Sequence, residues 1–160
     1  MKSLALALAL TATFGMSANT TSSSEGGPTT LTIYNISFEE ESGPNAAVEG
    51  IVRAYIENYH EGDFSEMRSV LSNNFTNQGL NHDGSLTPVQ KLDDLKVLMT
   101  GQDVVAPDAQ NNEITVTSIN GDVASAELVT GTNGQRWKEH ITLIRENGDW
   151  KVEKVFWSFL

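Results

Sequence analysis

Trp137-Lys138-Glu139-His140-Ile141-Thr142-Leu143-Ile144-Arg145, then Glu146-Asn147-Gly148-Asp149, then Trp150-Lys151-Val152-Glu153-Lys154-Val155-Phe156-Trp157: two runs rich in aromatic and β-branched residues flank an Asn-Gly pair. Asn-Gly tolerates the positive φ angles of a two-residue hairpin turn, so the stretch predicts a β-hairpin. The same signal recurs upstream. Glu113 to Ile119 reads as a strand, Asn120-Gly121 as a tight turn, and Val123 to Thr130 as the return. Asn133-Gly134 turns again before Arg136 to Arg145, and Trp150 to Phe159 closes the series. Three hairpins in succession predict a four-stranded antiparallel meander.

Further back the period changes from 2 to 3.6. Val48, Ile51, Val52, Tyr55, Ile56 and Tyr59 form one helical stripe beginning near Asn45. Gly62 suits a left-handed helix end. Asp63 then caps a short second helix, with Glu66 as the reciprocal member of a capping box and Met67, Val70 and Leu71 as its apolar side. Residues 72–86 look polar and irregular, anchored by Phe75 and Leu80. Thr87-Pro88-Val89-Gln90 predicts the start of a third helix, with Leu92, Leu95, Leu98 and Met99 as its buried face. Helices first and an antiparallel sheet after is the α+β pattern, and these three helices are the cover available for the sheet.

The 160 residues suffice for one ordinary domain. Met1-Lys2-Ser3, an apolar run from Leu4 to Leu10 and small residues near Ala18 read as a secretory signal peptide over 1–18. The expectation is therefore a secreted or periplasmic protein. Residues 19–44 read as a flexible linker, within which Leu31 to Phe38 is a candidate edge strand. The domain proper is expected over 45–160. The chain has no cysteine, which excludes disulfides, thiolate metal sites and cysteine nucleophiles. Its net charge of -11 would repel nucleic-acid phosphates, so no nucleic-acid partner is expected, and no membrane once the signal is removed. His60, His82 and His140 lack paired ligand spacing, so no metal and no cofactor are expected.

The order of elements resembles the NTF2-like superfamily. The resemblance rests on two helices joined by His60-Glu61-Gly62-Asp63-Phe64, a third helix, and a meander ending in Asn147-Gly148-Asp149-Trp150-Lys151-Val152. Val52-Arg53-Ala54-Tyr55-Ile56 and Ile119-Asn120-Gly121-Asp122-Val123-Ala124-Ser125-Ala126 are similar to the branch called the lumazine-binding or SnoaL-like family. It implies, over about residues 45–159, a cone of three N-terminal helices packed on a curved antiparallel sheet of four strands or more, enclosing a pocket. Relatives often carry a His-Pro-Asp type triplet after the second helix. Ser72-Asn73-Asn74-Phe75 stands there instead, so chemistry placed on that histidine does not carry over.

A pocket of this kind makes Tyr55, Tyr59, Phe75, Trp137 and Phe156 the candidates for binding a small apolar or aromatic molecule. The tyrosines read equally as core residues with hydroxyls at the rim. No catalytic residue is assigned. Ketosteroid isomerases, scytalone dehydratases and polyketide cyclases of the superfamily need a base in an apolar cavity, because burial raises a carboxylate's pKa. Glu139, Asp83 and His82 are the candidates for such chemistry, with Tyr55 or Tyr59 as donor. His82-Asp83 lies in the Gly-rich stretch Gly79 to Gly84 and reads first as a solvated turn. Glu139 shares its face with Trp137, Ile141 and Leu143, yet reads first as an exposed cross-strand partner for Lys or Arg. Val155, Trp157 and Phe159 alternate with Phe156, giving the last strand large groups on both faces. That predicts a homodimer through the outer face. The remaining alternative is a dimeric interaction domain whose cone is filled by side chains.

Overall fold

The computed structural model describes residues 43–160 apart from Asn133. The expected signal peptide, nearly all of the linker and the candidate strand 31–38 lie outside the described residues. Helix α1 (Pro44–Glu61) is followed by α2 (Phe64–Val70), strand β1 (Leu71–Leu80), α3 (Leu92–Thr100), a 3-10 turn (Pro107–Ala109), β2 (Glu113–Asn120), β3 (Val123–Thr132), β4 (Gln135–Glu146) and β5 (Asp149–Phe159). Among the described residues no helix is long and apolar enough to cross a membrane.

The meander forms with ends within about two residues of the reading above. At the turn that decides it, Asn147 and Gly148 both take positive φ, 54° and 95°, which the right-handed twist of the flanking strands requires. The sheet nevertheless differs from the expected four antiparallel strands. It has five, in the order β1-β5-β4-β3-β2, and β1 pairs parallel to β5. Residues 72–86 looked irregular because the inward positions of β1 are Ser72, Asn77 and Gly79 as well as Leu71 and Phe75, so no apolar alternation shows. A register shift between Leu71 and Thr76 breaks the period further.

Helix α3 also starts later than expected. Thr87 is not its cap: the Thr87 hydroxyl accepts from Gly79 N–H and its N–H donates to Gly79 C=O, laying this segment beside β1. The helix begins at Leu92, where Asp94 accepts from Lys91 N–H at 2.9 Å. Gly62 ends α1 in the left-handed conformation, and Asp63 caps α2 by accepting from Glu66 N–H at 3.0 Å. The return half of that box is absent, because Asp63 N–H is taken by Asn58 C=O.

The core sits between α1 and the sheet. Val48, Val52 and Ile56 of α1 are wholly buried, with Met67 of α2, Leu95 of α3, and Leu128, Leu143, Val152 and Val155 of the sheet. Each such side chain contributes about 1.5–3 kcal/mol by leaving water. This packing fixes α1 across the inner face and carries its last two turns toward the strand ends where Trp137, Glu139 and Trp157 emerge.

Candidate functional site

Cross-strand register builds the site. On the inner face Gly79 of β1 stands beside Trp157 of β5, Trp157 beside Glu139 of β4, and Glu139 beside Leu128 of β3. One step further along, Phe159 pairs with Trp137. Gly79 is what lets the indole lie down: a Cβ there would fall 2.1 Å from a Trp157 ring carbon. Tyr55 and Tyr59, one turn apart on α1, face these rings, and Leu98 of α3 lies at the mouth, 42% exposed rather than buried as its helical spacing predicts. Asn77, Gln90 and Gln135 complete the lining of a cavity of about 310 Å³.

Glu139 is the feature that departs most from the sequence reading. It is 4% exposed, not a surface ion-pair partner. The acid that takes the cross-strand role is Glu127 on the opposite face, 2.8 Å from Lys138 Nζ and 3.5 Å from His140 Nδ1. The hydrogen bond from Lys138 holds Glu127 below the usual carboxylate range. The signal was present in Ala124-Ser125-Ala126-Glu127-Leu128, where alternation sends Glu127 outward.

Burial pushes Glu139 up to about 7, against the opposing pull of Trp137 and Tyr55, which favour the ionised form. Trp137 Nε1–H donates to Glu139 Oε1 at 2.8 Å, while Oε2 has no hydrogen-bond partner among the described residues. Tyr55 and Tyr59 are raised above the usual tyrosine range, first by burial and then by the nearby Glu139. A half-buried carboxylate would be unremarkable, but this one is enclosed by aromatic rings and amides with no cation in the cavity wall.

Behind Trp137 lies a buried polar chain that sequence reading did not single out. His60 Nε2 is 3.0 Å from Thr130 Oγ1, whose hydroxyl donates to Asn112 Oδ1 at 2.6 Å. With its proton so used, the hydroxyl accepts from His60 Nε2–H. Burial holds His60 below the ordinary histidine range, so it stays neutral and props the Trp137 ring, 6.0 Å away between centroids.

The sequence-predicted residues divide. Tyr55, Tyr59, Trp137 and Glu139 meet in the cavity. Phe75 is buried elsewhere, against a groove beside Lys91 and Leu92, and Phe156 points to the outer face opposite His140. Trp157 and Phe159 occupy the inner positions instead. Of β5's aromatic residues in its last turns, Phe156 alone is left outward, so the two-sided apolar strand expected to drive dimerisation is mostly one-sided. Asp83 accepts from Ser85 N–H and Oγ–H at the loop tip, an arrangement that closes an exposed turn. His82 stacks on Phe159 with centroids 4.3 Å apart, supporting the cavity rim from outside.

The family model described as Putative lumazine-binding matches residues 44–158. Among solved structures, an NTF2-like protein of unknown function from Shewanella baltica superposes with a TM-score of 0.60 at 22% identity, covering 71% of this chain and 91% of that one. An NTF2-like protein of unknown function from Silicibacter pomeroyi gives 0.59 at 17%, covering 72% and 94%. A ketosteroid isomerase-like protein from Erwinia carotovora gives 0.53 at 16%, covering 77% and 98%. At these identities the likeness is one of fold. No curated protein matches the chain.

Proposed function

The chain belongs to the Putative lumazine-binding family, and from that premise and the cavity we propose that it binds a small aromatic-sized molecule between α1 and the sheet. The observation that carries this reading is the wall itself. Tyr55, Tyr59, Trp137, Trp157 and Phe159 surround about 310 Å³ of open space, near the lower end of the ~300–1,000 Å³ usual for ligand pockets. A filled-cone interaction domain would leave no such space. The signal-like residues 1–18 support export as the setting for this binding. Native mass spectrometry of protein purified gently from its exported compartment tests the reading. Retained small-molecule mass supports it; bare mass, together with no response of the tryptophan fluorescence to aromatic compounds, would sink it. The same spectrum counts subunits and so tests the homodimer expected through the outer sheet face.

A second reading is an isomerase, dehydratase or cyclase, and one observation favours it. Glu139, with burial holding it near 7, is half ionised at neutral pH, the condition for efficient proton abstraction. Tyr55 beside it would donate to a developing oxyanion. Glu139→Gln should then abolish turnover while near-ultraviolet circular dichroism stays unchanged; undiminished turnover would remove Glu139 from that role.

A further inference from the structure

The cavity's unmet hydrogen bonds are all of one kind. Glu139 Oε2 and Asn77 Oδ1 are buried, line the cavity, and lack a partner among the described residues. Both are acceptors. Asn77 Nδ2–H donates to Gln90 Oε1 at 3.1 Å, which turns Oδ1 away from Gln90. The two other unpaired buried groups, Arg136 Nε and Trp150 Nε1, are donors, but neither belongs to residues named in the cavity wall beside Glu139. A guest that satisfies this wall therefore brings N–H or O–H groups and not carbonyls.

Charge points the same way. The wall contains one acid and no Lys, Arg or His. The basic side chains on neighbouring positions are engaged elsewhere: Lys138 with Glu127 on the outer face and Arg136 with Glu113 at 2.9 Å. A carboxylate taken from water without a counter-charge is costly, and only a guest can supply one here. The rings add to this preference, because the faces of Trp and Tyr attract cations. A quaternary ammonium would meet the charge and the rings but leave both acceptors unpaired.

We propose that the cavity selects a flat organic cation bearing N–H groups, a ring-sized amine or amidine, with its nitrogen toward Glu139 Oε2 and Asn77 Oδ1 and its ring among Tyr55, Tyr59, Trp137 and Trp157. The proposal rests on the small-molecule reading above and specifies the chemistry of the guest.

Titration calorimetry of the full chain at pH 8 tests it with five probes of one ring each: benzamidine, benzylamine, benzyltrimethylammonium, benzyl alcohol and benzoate. The expected order puts benzamidine and benzylamine at least about tenfold tighter than benzyl alcohol, roughly the worth of one charge-assisted hydrogen bond. Benzyltrimethylammonium should fall between them, and benzoate should not bind. In Glu139→Gln the advantage of benzylamine over benzyl alcohol should shrink below about threefold. Asn77→Leu gives an independent route: it should weaken benzylamine at least about threefold relative to benzyltrimethylammonium, which offers Asn77 no donor. Benzyl alcohol or benzoate binding as tightly as benzylamine would overturn the cation proposal and leave the pocket reading standing. No heat and no tryptophan fluorescence change with any probe would overturn both.

Discussion

The inner face of the sheet has two ends built from the same strands by the same alternation, and they behave as different materials. At one end Ile141, Leu143, Val152 and Val155 meet Val48, Val52, Ile56 and Met67, and none of these four sheet residues exceeds 2% exposure. At the other, two residues along β4 and β5, Glu139, Trp137, Trp157 and Phe159 leave open space beneath Tyr55 and Tyr59. Branched aliphatic side chains interdigitate and fill volume. Large planar rings held by their neighbours stand as walls and do not collapse into the gap between them. The first end supplies stability, and the second contains a carboxylate that the first makes tolerable.

That contrast can be broken at the filled end first. Leu143→Ala should cost about 3 kcal/mol, because the packed site cannot close over the lost volume; urea denaturation measures it. If the loss is under 1 kcal/mol, the two ends are equally loose and the comparison fails.

At the open end the sign should reverse with pH. The unfolded chain releases the Glu139 proton near 4.5, whereas the folded one keeps it to about 7. Between those values the folded state binds more protons, so stability falls as pH rises, and the deficit is full above 7. At about 1.4 kcal/mol per unit the deficit approaches roughly 3 kcal/mol. Glu139→Gln should therefore be more stable than the native chain at pH 8 by up to that amount, and no more stable at pH 4. Parallel denaturation curves at the two pH values decide it; an equal difference at both would mean that burial does not govern this group.

Gly79→Ala sharpens the account of how the wall is built. The new methyl group displaces the Trp157 ring, and overpacking of this kind costs about 2 kcal/mol. The melting temperature should drop and the tryptophan emission shift, while Gly50→Ala, which has open space around it, does neither. The smallest effect belongs to the outer face. Glu127→Gln should leave the urea midpoint almost unchanged, since its pairs with Lys138 and His140 are partly exposed, and 1 M salt should erase any difference.

Local chemistry made much of this fold readable. Asn147-Gly148 demands a hairpin, the 3.6-residue stripe from Val48 to Tyr59 demands a helix, and both are decided within a few residues. β1 was not readable, because its inward positions are serine, asparagine and glycine, chosen by what lies opposite. Gly79 makes sense only against Trp157, 78 residues later in the chain. The site divides on the same line. Periodicity puts Tyr55, Tyr59 and Trp137 on inward faces, while the pocket they line was implied by the family resemblance. Glu139 lay on a face the period identified correctly, but its burial depends on how far α1 reaches over the strand end, a distance no local pattern encodes. Phe156 and Trp157 are adjacent, and their opposite fates turn on the phase of one strand.

The parallel seating of β1 on β5 has a consequence for how the molecule comes into being. β5 occupies the second position in the sheet, between β1, the first strand in the chain, and β4, its own hairpin partner. As the polypeptide emerges, β1 has only the short segment around Thr87 and Gln90 beside it until β5 has been made, and neither the Gly79–Trp157 contact nor the Glu139–Trp157 pair exists before then. The order of synthesis thus keeps the pocket unassembled, with the carboxylate still in water, until the final strand closes the interior around it.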